Sequence, residues 1–206
     1  MSAKGMLLAM MEPPAGFEEE FQDWYDTEHV PERMVVKGFE TGQRFVCVAG
    51  WPRYVALYDL TTLDVLQTPE YREAAGDKVS PWTHRIRTKV KGRYRFTGTQ
   101  IYPGTANMGD QGGVVRLMLL RFRHVDVKDE AQILAGLKKN FDGRDGVNQM
   151  RLFRGGETPD DYVASIEFNS AAEGVELIRD SFGPLIKKLD LINTYMPYWR
   201  TIFHIK

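Results

Sequence analysis

The chain is poor in the residues that build metal and redox sites. It has one cysteine, Cys47, and four histidines among 206 residues. A single thiol excludes an internal disulfide and a multi-thiolate metal site. No two histidines have the His-x-His or His-Glu-x-x-His spacing, so the sequence predicts no metal site. The low cysteine content favours a reducing compartment, and we expect a cytoplasmic protein.

The sequence also has no marked excess of positive or negative charge. The sequence has 27 Lys and Arg against 28 Asp and Glu, a formal net charge of -1. It therefore lacks the basic field that would attract nucleic acid or an acidic membrane, and we expect neither as a partner. No apolar run approaches the roughly 20 residues of a membrane-spanning helix. Phosphate-binding glycine loops and the Gly-x-Ser-x-Gly nucleophile motif are absent from the sequence too.

The chain does contain an internal repeat. At an offset of 108 positions, Phe45 coincides with Phe153, and Tyr54-Val55-Ala56 coincides with Tyr162-Val163-Ala164. Each half has the pattern of a strand, a helix, two strands, a helix and a strand, which is the order of a ferredoxin-like unit. We therefore expect an α+β fold made by tandem duplication of a βαββαβ unit. The predicted boundaries are 1–102 for the first half, 103–112 for a glycine-rich linker and 113–206 for the second half.

Some predicted elements rest on capping and turn signals. Thr61 or Thr62 can cap a second helix over residues 63–75. In the second half we expect a helix over residues 170–192, interrupted near Gly183 and Pro184, and a last strand over residues 198–205.

The strands are apolar on both faces. In the first strand Leu7 and Ala9 alternate with Met6 and Leu8, and such runs need cover on both sides of a sheet. Helices cover one face, so we expect the other faces of two antiparallel sheets to pack on each other as a barrel between the halves. This arrangement would place a pocket between the two halves.

The segment after the first strand predicts an amphipathic helix with a polar end. Phe21, Tyr25 and His29 recur every four residues, and Pro31 predicts that the helix ends near His29. The exposed carbonyls of a helix end stabilise an imidazolium, whereas burial favours the neutral ring. His29 could therefore exchange protons near neutral pH. Alternatively, its ring caps its own helix or bonds to Asp26.

Three sequence runs carry a family resemblance. FQDWYDTEHVPERM (residues 21–34), RYVALYDL (53–60) and SPWTHRIR (80–87) resemble the EthD-like branch of the dimeric α/β-barrel superfamily. The resemblance implies two ferredoxin-like units that pair their sheets around an interior cavity, here within one chain. Relatives include cofactor-free monooxygenases, isomerases, polyketide cyclases and haem enzymes.

The resemblance also implies site residues. Trp24, Tyr25 and His29 match the aromatic pair and the cavity-facing histidine of EthD-like proteins. At the offset of 108, Leu137 stands where the first half has His29, so the resemblance implies one polar cavity per chain. The second half would then mainly serve as a scaffold.

The candidate residues divide into two groups. His29 is the predicted proton donor or acceptor, and Tyr25 and Tyr58 are predicted to position a substrate oxygen. The predicted substrate-binding residues are Trp24, Arg44, Tyr54, Trp82 and His84. For each residue in either group, ordinary core packing or surface exposure is the alternative.

The sequence thus predicts a cofactor-independent enzyme that acts by proton transfer on a small apolar or aromatic molecule in the barrel cavity. The reaction would be of the isomerase, lyase or cyclase, or monooxygenase type. Two alternatives remain: a non-catalytic binding protein for an apolar metabolite, and a haem-binding protein with His29 as axial ligand. A homodimer is compatible with a chain that already contains both sheets, but is not required.

Overall fold

The computed structural model describes residues 2–76, 79–171, 175–198 and 203–204. Its strands are β1 Gly5–Glu12, β2 Phe39–Ala49, β3 Tyr54–Leu60, β4 Lys91–Tyr102, β5 Arg116–Phe122, β6 Val147–Gly155, β7 Tyr162–Phe168, β8 Leu189–Pro197 and β9 Phe203–His204. Its α-helices are α1 Glu18–Trp24, α2 Val30–Met34, α3 Pro69–Ala75, α4 Pro81–Lys89 and α5 Glu130–Phe141. A π-helical turn, Tyr25–His29, joins α1 to α2, and 3-10 segments span Leu63–Gln67, Val127–Asp129 and Arg179–Lys188.

The strands form one antiparallel sheet that closes on itself. Their order is β3-β1-β4-β6-β7-β5-β8-β2, and β2 pairs back with β3, while β9 adds a short ladder to β2. Each half keeps the ferredoxin-like order, and the halves join at their edges through the β4–β6 and β8–β2 pairs. The predicted duplication and intrachain α/β-barrel are therefore confirmed. The division at residues 1–102, 103–112 and 113–206 stays a prediction.

Side chains fill the inside of this barrel. The inward faces of the strands contribute one apolar cluster that includes Met6, Leu8, Leu57, Leu119 and Phe153, all fully buried or nearly so. Because the strands are apolar on both faces, the inward set packs against itself once the sheet closes. Among the described residues, these inward side chains occupy the space in which the substrate pocket between the two halves is expected, and the pocket itself stays a prediction.

A buried ionic cluster links the halves inside the barrel. Arg151 of β6 donates to Asp59 of β3 at 2.6 Å and lies 3.1 Å from Glu167 of β7, and none of the three side chains is more than 1% exposed. The connecting segment closes the cluster, because the backbone N–H of Met108 donates to Asp59 and that of Gly109 donates to Glu167. Buried charges are tolerated only when they are paired and hydrogen-bonded in this way.

Helices cover the outer faces of the sheet. The helices α1 to α4 and the π turn pack on the first half, over Leu7 and Tyr58. Helix α5 and the Arg179–Lys188 segment cover the second half, where Leu137 and Phe182 are fully buried. No helix in the described ranges has both the length and the apolar character needed to cross a bilayer.

The second helical region of the first half differs from its prediction. The helix expected over residues 63–75 is a 3-10 segment followed by α3, which begins at Pro69. The cap is Thr68 rather than Thr61 or Thr62, since its Oγ1 accepts the N–H of Tyr71 at 3.3 Å. Residues 80–87, which carry part of the family resemblance, form most of the separate helix α4.

The last predicted elements differ as well. In the helix expected over residues 170–192, the one helical element among the described residues is the 3-10 segment Arg179–Lys188, and residues 172–174 lie outside the described residues. The predicted interruption is present, since Gly183 has a positive φ of 53° and Pro184 follows it. The fourth strand of the second half is β8, earlier in the chain than expected. Of the strand predicted over residues 198–205, residues 199–202 and 205 lie outside the described residues.

Removing the buried guanidinium should destabilise the fold. Arg151→Met leaves Asp59 and Glu167 buried without their counter-charge, and we expect a loss of about 3–5 kcal/mol in the free energy of unfolding. Urea denaturation measures this loss. The control is Arg85→Met, which breaks an exposed pair with Glu20 and should cost less than about 1 kcal/mol. Equal losses in the two variants would contradict a structural role for the cluster.

Candidate active site

A cavity of about 460 Å³ lies on the outer face of the first half, between the sheet and the helices. Its volume is in the range of small-molecule sites. Leu7, Ala9 and Met11 of β1 form an apolar floor together with Tyr58 of β3. The other lining residues are Met10, Trp24, His29, Arg33, Tyr71, Ala75, Arg87, Arg93, Tyr94 and Arg95.

A π-helical turn places His29 on the cavity wall. The N–H of Val30 donates to the carbonyl of Tyr25, five residues back, and the helical chain then continues through Pro31 to Met34. A proline has no N–H and clashes with the carbonyl four residues before it, and a π turn changes the bonding at this point. The prediction that the helix ends near His29 is therefore wrong. His29 has no exposed helix-end carbonyls to stabilise its charged form.

Aromatic rings enclose the imidazole of His29. Trp24 stacks on it at 4.2 Å between ring centroids with an interplanar angle of 25°, and Tyr25 meets it edge-on at 5.3 Å. His29 is 8% exposed, and its Nδ1 atom is buried without a hydrogen-bond partner in the described part of the chain. The Asp26 carboxylate, the alternative partner considered from the sequence, pairs with Arg44 at 2.8 Å.

The surroundings of His29 favour the neutral ring. Burial lowers its pKa well below the usual 6.5, and the positive charges of Arg33, Arg87 and Arg44 lower it further. At neutral pH the ring is therefore uncharged and can accept a proton. An anion bound beside these guanidinium groups would oppose their effect and raise the pKa of His29.

Trp24 is held in position by the neighbouring helix. Its indole Nε1 donates to Thr83 Oγ1 at 2.8 Å, and this hydroxyl donates to Glu28 at 2.9 Å. Ser80 donates to the same carboxylate oxygen. This chain of hydrogen bonds ties α4 to the π turn and fixes the ring on which His29 stacks.

The two predicted positioning tyrosines differ in their surroundings. Tyr58 lines the cavity, and its buried hydroxyl has no partner among the described residues. Burial raises its pKa, so the hydroxyl stays protonated and can donate to a ligand. Tyr25 packs behind His29, and its hydroxyl lies 4.0 Å from the sulfur of Met11. Burial raises the pKa of Tyr25 to about 12.

Most of the predicted substrate-binding residues lie outside the cavity wall. Arg44 binds Asp26 and Gln22 and stacks on Tyr25 with its guanidinium carbon 4.2 Å from the ring centroid. The other three lie elsewhere: the buried Tyr54 donates to Glu18, Trp82 packs against the outer core cluster, and His84 is exposed. The eight predicted residues thus divide into three that line the cavity, Trp24, His29 and Tyr58, and five that do not, Tyr25, Arg44, Tyr54, Trp82 and His84.

Sequence reasoning missed the basic character of the cavity. Four arginines line it, and no Asp or Glu of the described residues does. Two signals were present: Arg93 and Arg95 alternate along β4 and so share one face, and Arg33 lies four residues after His29. Arg87 and Tyr71 come from helices whose packing the sequence did not reveal.

Comparisons with known proteins give the fold. No protein-family model and no curated protein matches the sequence. An anthrone oxidase-like protein superposes with a TM-score of 0.71 at 10% identity, over 99% of this chain and 94% of that chain. A monooxygenase-like protein of Lactobacillus acidophilus NCFM gives 0.57 at 8% identity, over 98% and 97% of the two chains. A haem-binding protein of Thermus thermophilus gives 0.50 at 9% identity, over 96% and 92%.

These similarities confirm the dimeric α/β-barrel fold that the sequence resemblance implied. The EthD-like motif runs are consistent with such neighbours. At identities this low the neighbours establish the fold alone and do not establish the chemistry of the cavity.

The buried neutral imidazole should make stability depend on pH. Below about pH 6.5 the unfolded chain binds a proton at His29 that the folded chain does not, so stability falls as the pH drops through this value. The contribution is at most ~1.4 kcal/mol per pH unit. Urea denaturation between pH 7.5 and 5.5 should show a steeper decline for the wild type than for His29→Phe, which keeps an aromatic ring on Trp24. The control is His84→Phe at an exposed position, and equal slopes for the wild type and His29→Phe would contradict the assignment.

Proposed function

We propose that the protein is a cofactor-independent enzyme that transfers a proton on an aromatic substrate bound between the helices and the sheet of its first half. One observation carries this proposal: a neutral imidazole, His29, and an unpartnered hydroxyl, Tyr58, line the same cavity. A proton acceptor and a hydrogen-bond donor facing one ligand space are the two groups that proton abstraction next to a carbonyl requires.

The chemical roles follow from the positions of these groups. His29 accepts a proton from an acidic C–H or O–H group of the substrate. Tyr58 donates a hydrogen bond to the substrate oxygen on which negative charge develops, and the guanidinium groups of Arg33 and Arg87 stabilise that charge electrostatically. The imidazolium then holds the proton for return to the substrate.

Several reactions share this first step. Return of the proton at a different carbon gives isomerisation, and expulsion of a leaving group or ring closure gives lyase or cyclase chemistry. Reaction of the carbanion with dioxygen gives oxygenation, the reaction type that the monooxygenase-like neighbour suggests. The proposal is therefore tested best at the proton transfer itself.

The walls favour a flat aromatic substrate. Trp24 and Tyr71 offer ring surfaces, and Leu7, Ala9 and Met11 form an apolar floor. The similarity to an anthrone oxidase-like protein suggests a probe. Anthrone is a tricyclic aromatic ketone with an acidic methylene group, and its carbonyl oxygen would accept the hydrogen bond from Tyr58.

A haem-binding function is the second candidate, since one structural neighbour binds haem. The neutral imidazole of His29 is the kind of ligand that haem iron takes, and haem would supply redox chemistry. Nδ1 is enclosed by protein, so Nε2 is the ring nitrogen left for iron. We expect no histidine-dependent Soret band after addition of haemin, and a band that His29→Phe abolishes would favour this function instead.

Deuterium exchange tests the proposed proton transfer. In D₂O under nitrogen, the wild-type protein should accelerate exchange at the methylene group of anthrone, as measured by NMR. His29→Phe should lower the enzymatic rate by about 10²- to 10⁴-fold, and Tyr58→Phe by about 10²- to 10³-fold. The control is Tyr54→Phe, whose hydroxyl bonds to Glu18 outside the cavity wall, and it should keep the wild-type rate.

Two results would reject the proposal. Anthrone that binds but exchanges only at the rate of free solution would indicate a non-catalytic binding protein. Equal exchange rates for His29→Phe and the wild type would remove His29 from the chemistry. Circular dichroism and thermal melts of each variant separate these outcomes from misfolding.

A further inference from the structure

Three guanidinium groups line the cavity and have no carboxylate partner among the described residues. Arg33, Arg87 and Arg93 line it, and within the described ranges no Asp or Glu lies at ion-pair distance from any of them. The fourth arginine, Arg95, differs because it pairs with Glu157 at 2.5 Å. The two other buried arginines among the described residues do pair with carboxylates, Arg151 with Asp59 and Arg44 with Asp26.

Two of the three guanidinium groups are fixed in place. Arg33 is 3% exposed, donates from Nη1 to the carbonyl of Ala74 at 2.8 Å, and lies over the ring of Tyr71 at 5.4 Å. Arg87 is half-buried and donates from Nη2 to the carbonyl of Ala75 at 3.4 Å. A guanidinium has five N–H donors, so these contacts leave several donors of each group for a ligand.

The closeness of these guanidinium groups to one another has an electrostatic cost. Burial lowers the pKa of Arg87, and the charges of Arg33 and Arg93 lower it further, while Tyr71 and Glu32 oppose the shift more weakly. Partly buried cations are normally neutralised by protein carboxylates. Here a bound anion would supply the missing charge and relieve the repulsion.

We infer that the substrate of the proposed reaction carries a carboxylate, which binds between Arg33 and Arg87 while its aromatic part lies on the floor of Leu7, Ala9 and Met11. The inference rests on the proposed function in one respect: both place the ligand in the same cavity. The planar guanidinium fork matches a carboxylate in two-point contact. The apolar floor accommodates a ring system, and the arginines add a position for a carboxylate, which the neutral probe anthrone lacks.

A carboxylate in this place also affects the base. His29 shares its cavity with Arg33 and Arg87, whose charges disfavour protonation of the ring. A bound anion cancels part of that field, so His29 becomes a better proton acceptor when the substrate is present. Binding of the substrate would then also raise the proton affinity of His29.

A matched pair of ligands tests the inference. The probes are 2-naphthoate and its neutral analogue 2-naphthylmethanol, with binding to the full chain measured by calorimetry. We expect the acid to bind about 10- to 100-fold more tightly than the alcohol, which is the range for hydrogen bonds to charged groups. Added salt should weaken binding of the acid and leave binding of the alcohol unchanged.

Two arginines of helix α4 provide a test variant and its control. Arg87→Met should remove most of the preference for the acid, whereas Arg85→Met, two residues away on α4, should retain it because Arg85 is exposed and pairs with Glu20. Arg33→Met should act as Arg87→Met does. If the buried Arg33 variant fails to fold, the half-buried Arg87 variant still decides the result.

Four outcomes would overturn the inference: equal affinity for acid and alcohol, no binding of the acid at millimolar concentration, a preference that survives Arg87→Met, or tighter binding of 2-naphthyl phosphate than of 2-naphthoate. Calorimetry requires no turnover, and His29→Phe should still prefer the acid. Loss of arginine-dependent binding therefore refutes the substrate class, whereas loss of anthrone exchange refutes the proposed reaction.

Discussion

Closure of the sheet determines where this protein can bind a ligand. Each half has two free edges, and the β4–β6 and β8–β2 ladders satisfy them with strands of the other half. Closure forces the inward side chains together, and Arg151 and Asp59 form a buried ion pair across the halves. Ligand space large enough for an aromatic molecule is then found on the outer face, where helices of different sequence leave different gaps.

The duplicated halves have diverged in this outer layer. In the second half Leu137 and Phe182 pack tightly, and Gly136 of α5 lies so close to the Phe182 ring that a Cβ there would come within 2.4 Å of it. In the first half the π turn brings His29 and Trp24 to the edge of a cavity instead. The first half therefore carries the candidate site.

The sequence predicted more of the fold than of the candidate site. The repeat that places Tyr54-Val55-Ala56 on Tyr162-Val163-Ala164 lies at the start of the corresponding strands β3 and β7, so the duplication could be recognised from the sequence. Proline at position 31 misled the helix prediction, since bonding across a π turn depends on packing that no local pattern shows. The arginines were missed for a different reason. A long side chain can reach a cavity from α2, α4 or β4, and sequence spacing does not show that three separate elements converge.

The electrostatics of the cavity connect these features. A buried histidine beside several cations is a weak base while the cavity is empty, which by itself argues against proton transfer. The same cations leave the cavity with uncompensated positive charge, because no carboxylate of the described residues lies at ion-pair distance from Arg33 or Arg87. Both difficulties disappear when an anion occupies the space between them. The proposed anionic aromatic substrate would thus make the histidine, the arginines and the apolar floor parts of one functional site.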